Sequence, residues 1–217
     1  MSTEALRLWQ LISPGLPVGA FHYSQGLEQA VHRDWIVDAT STEVWIGGVL
    51  WHVLGWLDLP LINRVHHAWL NRDEAAVDHW NSISRACRET AELREEEHQM
   101  GVALTSLGHD MDESLPESTL GFTATFAVIA ANNGISAEEA MAGYAWAWCE
   151  NQVLAATKLV PLGHRAGQLM LRRITTDLDE VVALAGRCRD EDIGRMAPGL
   201  VIANSAHETQ YSRLFRS

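Results

Sequence analysis

Chemistry at a protein site needs nucleophiles, acids, bases or metal ligands at spacings that let them converge. This chain offers ten histidines, three cysteines and one polar run inside an apolar helical pattern. The histidines form no HExxH pair, the spacing that puts two imidazoles and a base on one face of a helix around a metal. His66 and His67 are adjacent, so on a helix they point about 100° apart. His22 with His32, or His79 with His98, could meet only through the tertiary fold. No metal site within the chain is expected. Cys87, Cys149 and Cys188 are odd in number and far apart, which gives neither a disulfide framework nor a CxxC pair. The phosphate-cradling GxxxxGK(S/T) loop is absent, and GHRAG at 163–167 lacks its spacing and its lysine. A serine nucleophile elbow, GxSxG, is missing too, because Ser24 in HYSQG has no preceding glycine. No catalytic residue is therefore assigned.

The polar run is Glu150, Asn151 and Gln152, with Lys158 two turns on. Polar groups in an apolar helix need partners, water or exposure. Two readings stay open: a satisfied internal network with Lys158 favoured near a helix C-terminus, or a stripe that reaches a surface where another protein docks. The rival class is an α-helical enzyme pairing Glu150 with a histidine in a Trp-lined pocket, which requires acid and base to converge in a concave site.

The other unusual stretch is SAHETQYSRLFRS, residues 205–217. In a chain of formal charge -12, Arg213 and Arg216 here outnumber the single acid Glu208. Ser205 and Glu208 have capping-box spacing and predict a short helix. That helix would gather Tyr211, Leu214 and Phe215, at i, i+3 and i+4, on one face. A helix of about a dozen residues is marginal alone in water, so something must cover the face. It is either the protein's own body or a partner on which the tail orders through its aromatic and arginine anchors.

The elements that position these residues follow from composition and periodicity. With 217 residues, 47% of them hydrophobic, the chain can bury the core of one domain. Its acidity, with pI near 5.2, argues against nucleic acid or an anionic membrane as partner and favours a basic protein surface. MSTEALRLWQ has no basic segment before an apolar run, and no apolar stretch reaches the roughly 18 residues of a membrane span, so a cytoplasmic location is expected. Helical spacing runs over 4–12, from about Ser24, over 40–56 with a cap at Thr40 or Ser41, 58–70 and 73–110. Within the last of these, RETAELREEEH reads as a solvated face with i, i+4 pairs. After an acidic loop at Pro116, 119–131 is small and apolar. A Ser136/Glu139 capping box opens a helix to about Val160 that is apolar nearly all round, and a further helix covers 164–189. No period-two alternation occurs. The pattern predicts an all-α, single-domain bundle of roughly nine or ten helices, with 1–196 as its body and 197–217 as a C-terminal tail.

LISPGLPVGAFHYSQGLEQAV at 11–31, RACRETAELREEEHQMG at 85–101 and YAWAWCENQVLAATKLVPLGH at 144–164, with the terminal HETQYSRLFRS, resemble the urease accessory protein F family (UreF). The resemblance runs in order along nearly the whole chain. It implies an all-α, dimeric, non-enzymatic chaperone that bridges accessory protein D (H in some species) and the nickel-carrying GTPase G, in a complex acting on apo-urease. It further implies that the tail residues Glu208, Thr209, Gln210, Tyr211, Ser212, Arg213, Leu214 and Phe215 dock the D/H partner. Lys158 of ATKLVPLG, with Gln25 and Glu28 of SQGLE, would face the GTPase. The chain departs from the family pattern at His164, where PLGQ is usual, at His22, and at Cys149, where an aliphatic residue is usual. Nothing in the sequence brings the two histidines together as metal ligands.

Overall fold

A computed structural model describes residues 2–217, which form eleven α-helices, four short 3-10 turns and, among the described residues, no strand. The all-α, single-domain expectation is met. The first helix, α1 (Thr3–Leu11), starts where the Ser2 hydroxyl accepts from the Ala5 N–H. A glycine- and proline-rich loop then leads to the short α2 (Leu27–His32). Asp38, two or three residues earlier than the sequence cue, caps α3 (Ala39–His52) in a reciprocal box with Ser41.

The core lies between α4 (Asp58–Leu70), α7 (Phe122–Asn132) and α8 (Ala137–Leu159), with α4 packed on both of the others. Every residue from Thr123 to Ala131 is buried, and the alanines and threonines among them let neighbouring helices close in around Phe126 and Ile129. The Ser136/Glu139 box opens α8 as expected.

Two long periodic stretches are each divided. The one over 73–110 becomes α5 (Glu74–Ala86) and α6 (Ala91–Asp110), because Thr90 leaves the helix to cap α6 by accepting from the Leu93 N–H at 3.2 Å. The one over 164–189 becomes α9 (His164–Ile174), a 3-10 turn and α10 (Leu178–Gly186). At that break Thr175 and Thr176 turn their hydroxyls back onto the carbonyls of Leu171 and Arg172, the side-chain competition that disturbs helix interiors.

The predicted terminal helix is replaced by something else. Pro198 at the first turn opens α11 (Pro198–His207), so Ser205 lies in the last turn of a helix and not at the start of one. Residues 208–217 are turns and bends. The span expectation also needs correction: residues 39–70 reach the length and apolarity of a membrane-crossing helix, at mean hydropathy 1.3. Since 67% of the relevant window is buried inside the protein, that apolarity serves the core.

Candidate partner-docking site

The charged run 88–98 is divided: Arg94, Glu95 and His98 face solvent, with Glu95 bonded to Gln99 at i, i+4, and the rest does not follow the solvated-face expectation. Arg88, Glu96 and Glu97 turn inward, because α6 packs on α7 and the break before it lets Arg88 reach the core. The Arg88 guanidinium donates through Nη2 to Asp58 Oδ1 at 2.5 Å and to Glu97 Oε2 at 3.0 Å. Glu97 also accepts from the Thr123 backbone N–H at 2.9 Å, and Gly121 leaves room for it: a Cβ there would lie 2.6 Å from its Oε1. Burial opposes the Arg88 charge, but Asp58 and Glu97 outweigh it and hold the guanidinium firmly protonated. The Tyr144 hydroxyl, buried beside the same carboxylates, is pushed well above the ordinary tyrosine value.

One face further round α6, Glu92 and Glu96 meet the end of the chain. His207, wholly buried, hydrogen-bonds Glu92 through Nδ1 at 2.7 Å and lies 3.4 Å from Glu28 through Nε2. The Glu28 carboxylate accepts the Leu214 N–H at 2.7 Å and the Phe215 N–H at 2.9 Å. Arg213 pairs with Glu92. A main-chain carboxylate oxygen of Ser217 accepts from the N–H groups of Ser24 and Gln25 and from the Ser24 hydroxyl, while the Ser217 hydroxyl donates to Glu96 at 2.7 Å. Phe215 fills a small apolar cluster with Leu27, Ala30, Ile36, Ala155 and Val160, and the Lys158 ammonium stands 5.3 Å from its ring centroid. Of the two coverings the sequence left open, the protein's own body is the one seen here.

The structure thus brings the residues assigned to two partners into one place. Gln25, held at φ +49°, accepts from the Trp148 indole N–H at 2.6 Å and donates to Glu96 at 2.7 Å. Glu28 holds the tail backbone, and Lys158 covers Phe215. Within the tail the residues divide. Glu208 accepts from the Ala91 and Glu92 N–H groups, so the acid of the supposed capping box caps α6 in place of its own helix. Thr209 bonds back to Ala206, and Gln210 donates to the Ser212 carbonyl. Tyr211 is fully exposed and Leu214 is 62% exposed, whereas Phe215 is buried. Glu92, Glu96, His207, Ser24 and Ser217 were not foreseen. The i, i+4 placing of Glu92 and Glu96 was visible, but not their partners, which lie up to 121 residues away.

Asn151 donates to the carbonyls of Ala20 and Tyr23, pinning the glycine-rich loop to α8, and Gln152 is buried. Glu150 lines a cleft of about 130 Å³ with Trp148, Glu96 and Glu97. Burial raises its carboxyl above the ordinary value. No histidine lines that cleft, so the acid and histidine of the enzyme reading do not converge. Among the described residues no three histidine, cysteine or acidic side chains gather into a metal-ligating group. His66 bonds the Ile135 carbonyl and His67 that of Asn63, each on its own.

The class is an all-helical domain that seats its own terminal segment on a cluster of buried polar groups and brings no catalytic acid and histidine together. The model of the UreF family matches residues 36–175. Proteins named urease accessory protein UreF are similar along the whole chain: that of Alkalilimnicola ehrlichii is 47% identical with both chains fully covered, and that of Teredinibacter turnerae 45% identical with both fully covered. That of Chromohalobacter salexigens is 45% identical over 97% of this chain and 93% of its own. The chain belongs to the UreF family, whose members are accessory proteins of urease and not enzymes.

Proposed function

We propose that the protein acts in urease maturation as a cytoplasmic, homodimeric nickel-insertion chaperone. It bridges accessory protein D/H and the nickel-carrying GTPase G, and couples GTP turnover to nickel delivery into apo-urease. The observation that carries this reading is the divided tail: Phe215 and the backbone of Leu214 are held by the body, while Tyr211 and Leu214 present apolar surface outward. Such a half-seated segment offers aromatic, aliphatic and arginine anchors to D/H. Gln25 and Lys158, which touch it from the body side, border the neighbouring surface for G, with Glu28 buried beneath the tail and joining that surface when the tail leaves. Binding one nucleotide state of G more tightly than the other suffices to shift its equilibrium, so no catalytic group is required.

The test is capture of purified D/H by the full chain and by a chain ending at Gln210, which keeps α11, His207 and the Glu208 cap. Protein G with GTP or GDP is added in a second step. Capture by the full chain alone supports the reading, and equal capture by both overturns the tail's role. Light scattering at micromolar concentration reads the dimer.

A further inference from the structure

We propose that residues 208–217 form a proton-controlled latch, docked while the Glu96 carboxyl holds a proton and loosened when that proton is lost. Glu96 is 6% exposed and lies under the last residue of the segment. One of its oxygens accepts from the Gln25 amide and the other meets the Ser217 hydroxyl, both at 2.7 Å, and neither partner is charged. The Ser217 hydroxyl can accept from the protonated carboxyl as readily as it donates to the ionised one. Contact therefore persists in both forms, and what differs is the charge left without water. Releasing the tail uncovers Glu96 and hydrates that charge, so ionisation favours release.

The surrounding groups do not neutralise it. On α6 and its lead-in, Arg88 is engaged by Asp58 and Glu97 and offsets the charge only in part, while Glu97 adds like charge. The segment before α2 supplies Tyr23, and α2 supplies Glu28. From α8 comes Glu150, from α11 His207, and from the tail Arg213, paired with Glu92, Arg216, beside the Tyr23 hydroxyl, and the terminal carboxylate of Ser217, held by Ser24 and Gln25, which adds like charge. Burial, offset in part by the Ser217 and Gln25 hydrogen bonds, raises the Glu96 carboxyl from 4.5 to about 7. An acid raised on docking gives the docked form its full advantage below the free value of 4.5, and that advantage is lost as pH rises through about 7. With a tenfold change per unit at most, docking weakens about tenfold between pH 6 and pH 8.

The experiment is native-state hydrogen exchange on the isolated full chain at pH 6, 7 and 8, reading protection of the Leu214 and Phe215 amides after correction for intrinsic exchange rates. Protection falling about tenfold in the wild type, flat in Glu96→Gln and still falling in His207→Gln is the expected result. A flat wild-type profile overturns the latch, as does a slope that survives Glu96→Gln or disappears only in His207→Gln. Carbon-13 titration of the Glu96 carboxyl gives an answer even if a variant fails to fold: a midpoint near 7 is expected, and one below about 5 overturns the proposal. The latch deepens the tail-docking reading and rests on it for its consequence, namely the pH at which the tail is free for D/H. Its test contains no partner, so either idea can fail without the other.

Discussion

Glu96 and Glu97 are neighbours on α6, equally buried, and they end in opposite electrical settings. Glu97 meets a guanidinium, a backbone N–H and a threonine hydroxyl, inside a network closed by Asp58 and Tyr144. Glu96 meets an amide and a hydroxyl, and lies directly beneath a chain end. A buried carboxylate given a countercharge is compensated where it stands, whereas Glu96, given only neutral donors, is raised by burial to about 7. One helix therefore carries a permanent joint on one face and a releasable one on the next, and the two faces should respond differently when disturbed.

The largest effect is expected on the fixed face. Arg88→Met leaves Asp58 and Glu97 buried together without their cation, which should cost about 3–5 kcal/mol in urea unfolding. Replacing all three, as Asp58→Asn, Arg88→Met and Glu97→Gln, should recover much of that loss, because no uncompensated charge is left. A triple variant as unstable as the single one would mean that packing, and not charge, holds this face.

Next comes Gly101→Ala, on the same side of α6. Its Cβ would lie 2.5 Å from the Leu120 carbonyl oxygen and 2.9 Å from the Gly121 Cα, both backbone atoms that cannot rotate away. Overpacking of about 1–3 kcal/mol is expected. Tail protection should hardly change, and a parallel loss there would show that the two faces are not independent.

The same contrast marks what the sequence could convey. Ser136/Glu139 and Ser205/Glu208 carry one spacing, yet only the first pair opens a helix. Local pattern does not say on which side of a serine the helix extends, and the signal that decides is Pro198, seven residues earlier, at the first turn of α11. The apolar core of α7 and α8 was legible because periodicity records burial directly. The inward turn of Arg88, Glu96 and Glu97 was not, since their partners Asp58, Gln25 and Ser217 come from elements that only tertiary folding brings near. For the same reason Lys158, Gln25 and Glu28 read as a surface separate from the tail, although they touch it.

Glu208→Gln tests the outer rim of the releasable face. Its carboxylate sits on the first N–H groups of α6, where a negative charge is favoured. The change should cost about 0.5–1 kcal/mol, read as a lower unfolding midpoint with an unaltered slope. A change larger than in Gly101→Ala would place the tail among the elements that hold the core.

The smallest effect expected of the isolated chain separates the two uses of Lys158. A cation 5.3 Å from the Phe215 ring centroid at an exposed position contributes about 0.5 kcal/mol. Lys158→Met, which keeps most of the stem, should therefore lower protection of the Leu214 and Phe215 amides only about twofold. If Lys158 meets the GTPase, capture of G by the preassembled complex with D/H should fall far more, by about tenfold, because losing an interfacial charge costs more than losing an exposed contact. Equal small losses in both assays would make Lys158 a clasp for the tail and move the G-facing surface elsewhere. Loss in the second assay alone would mean that this face is fastened weakly at home because the same groups are wanted by a partner.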